Sequence, residues 1–445
     1  MSKKKIKILT IFGTRKELIK LYPVLDRLNT DENFESIVVT TSQLQEELDD
    51  LCSLFKVKPD HDLNLKRSRK QLSDITNLAL AGLDPLLKHH QPDLVLVQGE
   101  STSAFAGALA AFYNKIPVGH VGAGVRTFNK MKPYPEEVNR RLVSTLSELH
   151  FVPAAQNAEY LLHEGAVPRN IFITGNIIID AVNGVAHKTK NILTRYIPPD
   201  DLNAYKMILV TSHKKENWGK PLKDLCLALV DLTQAYPDIQ IAFPLKFNAD
   251  VRDTVYKVLN RKERIHLLDQ LPYQAFVEAM ARSHLMITDS ICITEEGIAL
   301  RKPVLIFEEK AGQTESRLMG GVKEVEMKRA SVVFEASRLI EDPNAIKNLI
   351  GEFSSAGDGR AAERIVQAIR CHFGLAERPG DFKPKTASNA SFSRRLAQTP
   401  QTISFPPDDL SGGKPACPSG KQVFKKEPIS SGVKNSLGMH RSAVK

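Results

Sequence analysis

Short, nearly unbroken apolar runs alternate along this chain with longer segments whose apolar residues recur at helical spacing. Residues 6–12 form a β-rich run, and Gly13-Thr14-Arg15 turns it into a helical pattern carrying Leu18, Ile19, Leu21 and Leu25. Similar runs follow at 36–40, 93–97, 117–121 and 171–175, with an Ala-rich helical stretch from Ala104 to Tyr113 among them. Continuous apolar character suits parallel strands covered on both faces. Strand, helix, strand in repetition predicts a doubly wound α/β sheet. The pattern begins again at 207–211 and continues through 239–243, 265–268, 285–288 and 303–307. Two α/β halves are therefore expected, with a seam near 181–200: a first domain over 1–182 and a second over 183–373.

Sheets of this kind take ligands outside the carboxyl ends of their strands, and two of them offer the cleft between. Polar residues should then collect just after the strands. They do so at Thr14-Arg15, at 98–101, from His120 to Thr127, at Gly175-Asn176, from Ser212 to Glu216, at Lys246, at Asp289-Ser290 and at Glu308-Glu309.

Composition narrows the class. With 42% hydrophobic residues the chain can bury a core, which excludes disorder throughout. No stretch approaches the ~20 uninterrupted apolar residues of a membrane span. The basic start is followed by no signal-peptide core, because Arg15, Lys16, Glu17 and Lys20 interrupt the apolar run. Five scattered cysteines do not make a secreted disulfide scaffold and suit a reducing, cytoplasmic setting. The basic charge is concentrated at the end, with 12 Lys/Arg against 5 Asp/Glu in residues 375–445. That segment, 374–445 in the domain scheme, is rich in Ser, Pro, Gly and Lys and reads as a disordered basic tail. A solvated extension is its plainer reading, and contact with nucleic acid or an anionic membrane the sharper one.

At the strand ends the wording becomes specific: Phe12-Gly13-Thr14-Arg15, Ile116-Pro117-Val118-Gly119-His120-Val121, Ala123-Gly124, Arg126-Thr127, Pro135-Glu136-Glu137, Asn139-Arg140, Gly175-Asn176, His213 with Glu216, Thr288-Asp289-Ser290 and Glu295-Glu296. Over about residues 5–373, in chain order, this resembles the non-hydrolysing UDP-N-acetylglucosamine 2-epimerases. The resemblance implies two Rossmann-like domains of the GT-B type, a UDP-N-acetyl-hexosamine ligand in the cleft, a homodimer, and a last helix near 359–373 that crosses back onto the first domain. It implies elimination of UDP across C1–C2 and its re-addition after a proton returns to the other face of C2. Such a site needs carboxylates near C2, a cationic cradle for the diphosphate and exclusion of water. No metal or other cofactor is required by that scheme.

By the same resemblance, Glu100, Glu136 and His213 match catalytic positions, while Arg15, Lys20, Phe276, Ser290 and Glu296 match substrate-binding ones. Each also has a plainer reading. Arg15 could cap a helix, Lys20 could be solvated, and His213 could be an ordinary polar strand-end residue. Phe276 could be core, Glu136 and Glu137 or Ser290 could cap helix N-termini, and Glu296 could sit on a solvated helix face.

The chain departs from the family pattern at chemically important places. Glu100 stands for an aspartate, and Gly122 for a glutamate. Ser290-Ile291-Cys292 replaces Ser-Gly-Gly, Leu271 a glutamine (with Gln270 adjacent), Gln313 an arginine, and Lys16 a proline. Gln43 is kept from a regulatory motif whose next residues are here Leu44 and Gln45, which argues against activation by substrate. Glu308 or Glu309 is the alternative source of the acid missing at Gly122. Three functions follow as expectations: a UDP-sugar-binding family member with impaired or lost epimerase activity, an active epimerase, or an enzyme of another UDP-sugar reaction such as glycosyl transfer or hydrolysis.

Overall fold

The computed structural model describes residues 4–42, 45–65, 71–212, 214–245, 249–307, 321–351 and 357–384, without side chains at 45–47, 249–250 and 351. Strands β1 (Ile6–Phe12), β2 (Phe34–Thr40), β3 (His61–Asp62), β4 (Leu94–Gln98), β5 (Val118–Val121), β6 (Leu149–Val152) and β7 (Ile171–Ile173) form one sheet, in the order β3-β2-β1-β4-β5-β6-β7. Strands β8 (Lys206–Val210), β9 (Ile239–Pro244), β10 (Ile265–Leu268), β11 (Leu285–Thr288), β12 (Val304–Phe307) and β13 (Val322–Val325) form a second, in the order β10-β9-β8-β11-β12-β13. Neighbouring strands pair in parallel in both, at β1–β4 for example and at β8–β11. The order reverses between β1 and β4 in one sheet and between β8 and β11 in the other. Those are the two switch points at which such sheets open a crevice.

Three strands go beyond the apolar pattern. β6 carries the buried His150. β3 is two residues long, and β13 is a half-buried edge strand reading Val-Lys-Glu-Val.

The expected boundary at 182/183 falls inside an unbroken helix, Ile177–Lys188. This helix packs on helices Tyr273–Arg282 and Ile291–Ala299 of the second half. Its buried Ile178, Ala181 and Val185 share an apolar cluster with Leu25 of the first half and with Phe276 and Met280 of the second. The link beyond it is pinned by Glu278, whose carboxylate accepts from the backbone N–H groups of Asn191 (3.0 Å), Ile192 (2.7 Å) and Leu193 (3.0 Å).

Helix Ala361–His372 returns to pack on helix Arg15–Thr30, as the resemblance implies, and Arg370 Nε donates to Asp31 Oδ2 at 2.7 Å. The described residues extend past 374, where composition opens the tail, as far as 384. Phe382 is buried, its N–H donates to the Ile173 carbonyl at 2.7 Å, and the Arg378 guanidinium lies 4.2 Å from the centre of the Phe172 ring. Residues 378–382 thus contact the β7 edge, because Arg378, Asp381 and Phe382 find partners there. No described helix is long and apolar enough to cross a membrane.

Candidate active site

At the first switch point the turn after β1 is fixed by one carboxylate. Glu17 Oε2 accepts from the N–H groups of Gly13 (2.7 Å) and Thr14 (2.8 Å) and from the Thr14 hydroxyl (3.0 Å). Its other oxygen accepts from the Ser101 hydroxyl, beyond β4. A Cβ at Gly13 would lie 2.1 Å from Thr41 Oγ1 and 2.2 Å from Ser103 Oγ, so only glycine allows this approach. Thr14 caps helix Arg15–Thr30 in a capping box with Glu17. That motif is a sequence signal from which Glu17 could have been found.

Because Thr14 does the capping, Arg15 is left to reach the other half. Its guanidinium stacks 5.0 Å from the centre of the Tyr273 ring. The Tyr273 hydroxyl donates to Glu296 Oε1 at 3.3 Å. Glu296 is buried, not solvated. Burial pushes its carboxyl up to about 7, against the opposing pull of Arg15 and of the tyrosine. One turn beyond Tyr273, Phe276 serves both readings, since it belongs to the shared apolar cluster and lines the cavity. Lys20 also bridges the halves, with Nζ 2.8 Å from Glu295 Oε2. Burial would lower its pKa, but Glu295, then Cys292 and Glu100, more than reverse this and hold the ammonium above its ordinary range.

Glu100 follows β4 at the same switch point. Burial works to raise its pKa, but Arg140, Lys20 and Lys16 together outweigh it, so the carboxyl titrates below its ordinary range. Arg140 Nη2 lies 3.6 Å from Glu100 Oε1, and Asn139 Nδ2 donates to the Glu100 carbonyl at 3.0 Å. Both come from helix Glu136–Leu146, whose residues 136, 139 and 140 share one face. Glu136, on that face, lines the cavity. Its neighbour Glu137 instead accepts from the N–H groups of Thr127 (2.9 Å) and Phe128 (3.0 Å). The i, i+3, i+4 spacing of polar residues is the signal that marks Arg140, to which sequence reasoning assigned no role.

At the second switch point Asp289 is fully buried. Its Oδ2 accepts from Ser212 Oγ (3.1 Å), the Lys214 N–H (3.0 Å) and Asn217 Nδ2 (2.9 Å), on both sides of His213. His213 itself lies outside the described residues, as do Gln43, Leu44, Lys246, Glu308, Glu309, Lys310 and Gln313, together with the Gln45 side chain. Ser290 begins helix Ile291–Ala299, but its side chain makes no capping hydrogen bond. Thr288 Oγ1 accepts from the Ser290 N–H at 3.0 Å. The Ser290 side chain lines the cavity.

Gly122, just after β5, has φ +76°. A Cβ there would meet Gln98 Nε2 at 3.3 Å, and no carboxylate lies within 4 Å among the described residues. Gln98 lines the cavity. The nearby His120 is buried, with Nε2 2.9 Å from the Gly99 carbonyl. Burial takes its pKa down to about 3, so it is neutral at physiological pH.

Part of this set lines one cavity of about 380 Å³, within the range of small-molecule sites. Arg15, Lys16, Glu100 and Glu136 line it from the first half; Phe276, Ser290, Cys292 and Glu296 line it from the second. Gln270 and Leu271 both line it as well. No group of three or more His, Cys, Asp or Glu side chains among the described residues could hold a metal ion. The lining brings together the ionised carboxylate of Glu100, the Phe276 ring, the carboxyl of Glu296 with its pKa raised by burial, and the cations Arg15 and Lys16.

A family model described as UDP-N-acetylglucosamine 2-epimerase matches residues 26–370. A UDP-N-acetylglucosamine 2-epimerase of Bacillus subtilis is 38% identical over 385 residues, covering 86% of this chain and 100% of the relative. The solved UDP-GlcNAc 2-epimerase of Neisseria meningitidis, bound to UDP-GlcNAc, superimposes with a TM-score of 0.74 at 36% identity, over 82% of this chain and 99% of the other. A Staphylococcus aureus protein solved with UDP gives a TM-score of 0.76 at 37% identity, over 85% and 100%.

Proposed function

The chain belongs to the UDP-N-acetylglucosamine 2-epimerase family, and from that premise we propose that its cleft binds a UDP-N-acetyl-hexosamine and epimerises it slowly, because one acid is missing. The nucleoside would lie against Phe276 with its ribose hydroxyls at Glu296 and Arg15. The sugar would lie toward Glu100 and Glu136. In the reaction a base takes the C2 proton, the C1–oxygen bond breaks, and UDP leaves with the electron pair. A proton then returns to the opposite face of C2 and UDP adds back at C1. Glu100 is ionised and suited to accept a proton, and Glu136 faces the same space. His213, outside the described residues, is proposed to assist departure of UDP.

The observation that carries the slow reading is Gly122. A side chain at this position would start against a cavity-lining amide, and the described residues place no carboxylate there. Glu17 lines the cavity too, but its two oxygens accept from the turns after β1 and after β4 at the first switch point. Loss of one proton-transfer group typically costs 10²–10⁴-fold in rate. Purified protein incubated with UDP-N-acetylglucosamine should bind it and exchange its C2 hydrogen with solvent only slowly. Turnover at the rate of the Bacillus subtilis relative would establish an active epimerase instead, with its acid outside the described residues. Release of free UDP without epimer would mark a different UDP-sugar reaction.

We propose in addition that the protein is a cytoplasmic homodimer. Helices Leu72–His90, Thr102–Tyr113 and Glu136–Leu146 pack side by side and expose Leu78, Phe112, Tyr113, Val138 and Leu142. Apolar residues gathered on adjacent helices suit a second copy. Light scattering during gel filtration should give twice the chain mass, and Tyr113→Glu should shift it toward the monomer.

A further inference from the structure

Gln98, the last residue of β4, is only 5% exposed and lines the cavity. Its main chain is fixed. Gln98 pairs with Val121 between β4 and β5, and the next residue, Gly99, donates its N–H to the Val121 carbonyl at 3.0 Å. Its side-chain amide, by contrast, has no hydrogen-bond partner among the described residues. Buried side-chain amides are nearly always paired, because leaving one unpaired away from water is costly.

Beside this amide is the open face of Gly122. A Cβ built on Gly122 would meet Gln98 Nε2 at 3.3 Å and, apart from its chain neighbours, no other described atom within 4 Å. The amide therefore borders the space that a side chain at position 122 would enter. Glu100, two residues after Gln98, lines the same cavity. A carboxamide has a donor at one end and an acceptor at the other, whichever way it is turned. It has no acidic proton to give at neutral pH, so it can hold a ligand group without replacing the missing acid. Its complement is a neutral group that both donates and accepts. The hydroxyls and acetamide of an N-acetyl-hexosamine are such groups, whereas an ionised diphosphate only accepts.

We propose that Gln98 is a sugar-binding residue of this chain, its amide hydrogen-bonded to a hydroxyl or acetamido group in the space beside Gly122. This rests on the reading of the cleft as a UDP-sugar site and adds a contact to the sugar. The unpaired amide and the open face of Gly122 are then parts of one subsite, in which the ligand supplies the volume and the hydrogen bonds that the protein leaves out. Such a contact favours ligands that carry the sugar, since a buried polar group discriminates against analogues that leave it unpaired.

The test is calorimetric binding of UDP and of UDP-N-acetylglucosamine to the full chain and to its Gln98→Leu and Gln98→Met variants, which fill similar space without an amide. Each variant should bind UDP-N-acetylglucosamine about tenfold more weakly than the parent, with UDP affinity changed less than about threefold. Retained UDP affinity shows that the cleft is folded, and a role in packing alone would move both ligands together. Parent-like affinity for UDP-N-acetylglucosamine in either variant would overturn the role of Gln98 while leaving the UDP-sugar reading intact, and so would an equal loss of both ligands in both variants. A parent protein that binds neither ligand would overturn both.

Discussion

Glu100 and Glu296 are acids of one cleft pushed in opposite directions by their surroundings. Against burial, Arg140, Lys20 and Lys16 keep Glu100 ionised, so Glu100→Gln should cut residual C2 exchange by at least ~100-fold without weakening UDP binding. Nuclear magnetic resonance and calorimetry on the same sample check both halves of that statement. Burial raises the Glu296 carboxyl to a folded pKa of about 7 against an ordinary 4.5. A raised carboxyl pKa means that the folded state binds the proton more tightly. Its stability contribution is therefore full below about pH 4.5 and disappears as the pH rises to about 7. The size is on the order of 3 kcal/mol. Stability of the ligand-free protein should fall across that window, and Glu296→Gln should flatten the fall in chemical denaturation. Gly122→Glu tests the vacancy itself. At φ +76° a non-glycine residue costs about 1–2 kcal/mol, yet C2 exchange should rise tenfold or more if the absent acid limits the rate. Arg15 and Glu100 were legible in the sequence because they follow apolar runs, and Gly122 because it departs from the family pattern. The long-range partners of Glu17, Arg140 and Asp289 were not, since sequence spacing alone does not bring Ser101, Glu100 and Ser212 to them.

At the scale of elements, the buried strands were readable because both of their faces are covered and their apolar runs are unbroken. β6 and β13 were not, because a buried histidine interrupts one and edge exposure tolerates Lys323 and Glu324 in the other. The link between the halves depends on Glu278. Three backbone N–H groups converge on its carboxylate, and Arg282 Nε lies 3.0 Å from it. Truncation leaves those donors without a partner, and hydrogen bonds to charged groups contribute about 1.5–3 kcal/mol. Glu278→Ala should therefore lower stability by roughly 3 kcal/mol and expose residues 189–197 to limited proteolysis. An unchanged cleavage pattern would show that the link is held by packing alone.

Across the whole molecule, the site exists because two sheets present their switch points to each other. Helix Ile177–Lys188 and the returning helix Ala361–His372 hold that arrangement through one shared apolar cluster. The sequence signalled two halves and a cleft. It could not signal the Arg15–Tyr273 stack or the Lys20–Glu295 pair, which depend on how the halves dock. The docked segment 374–384 sets where truncation begins to matter. Removal of residues 385–445 should leave thermal stability unchanged. Truncation after Gly374 removes the buried Phe382 and should cost about 3 kcal/mol. Calorimetric melting of the two truncations side by side separates these outcomes. The reaction itself is tested most directly by proton NMR of the purified full chain with UDP-N-acetylglucosamine in D₂O. The account predicts binding with C2 exchange at least ~100-fold slower than in the Bacillus subtilis relative, accelerated by Gly122→Glu. Exchange as fast as the relative's in the unaltered chain would contradict it.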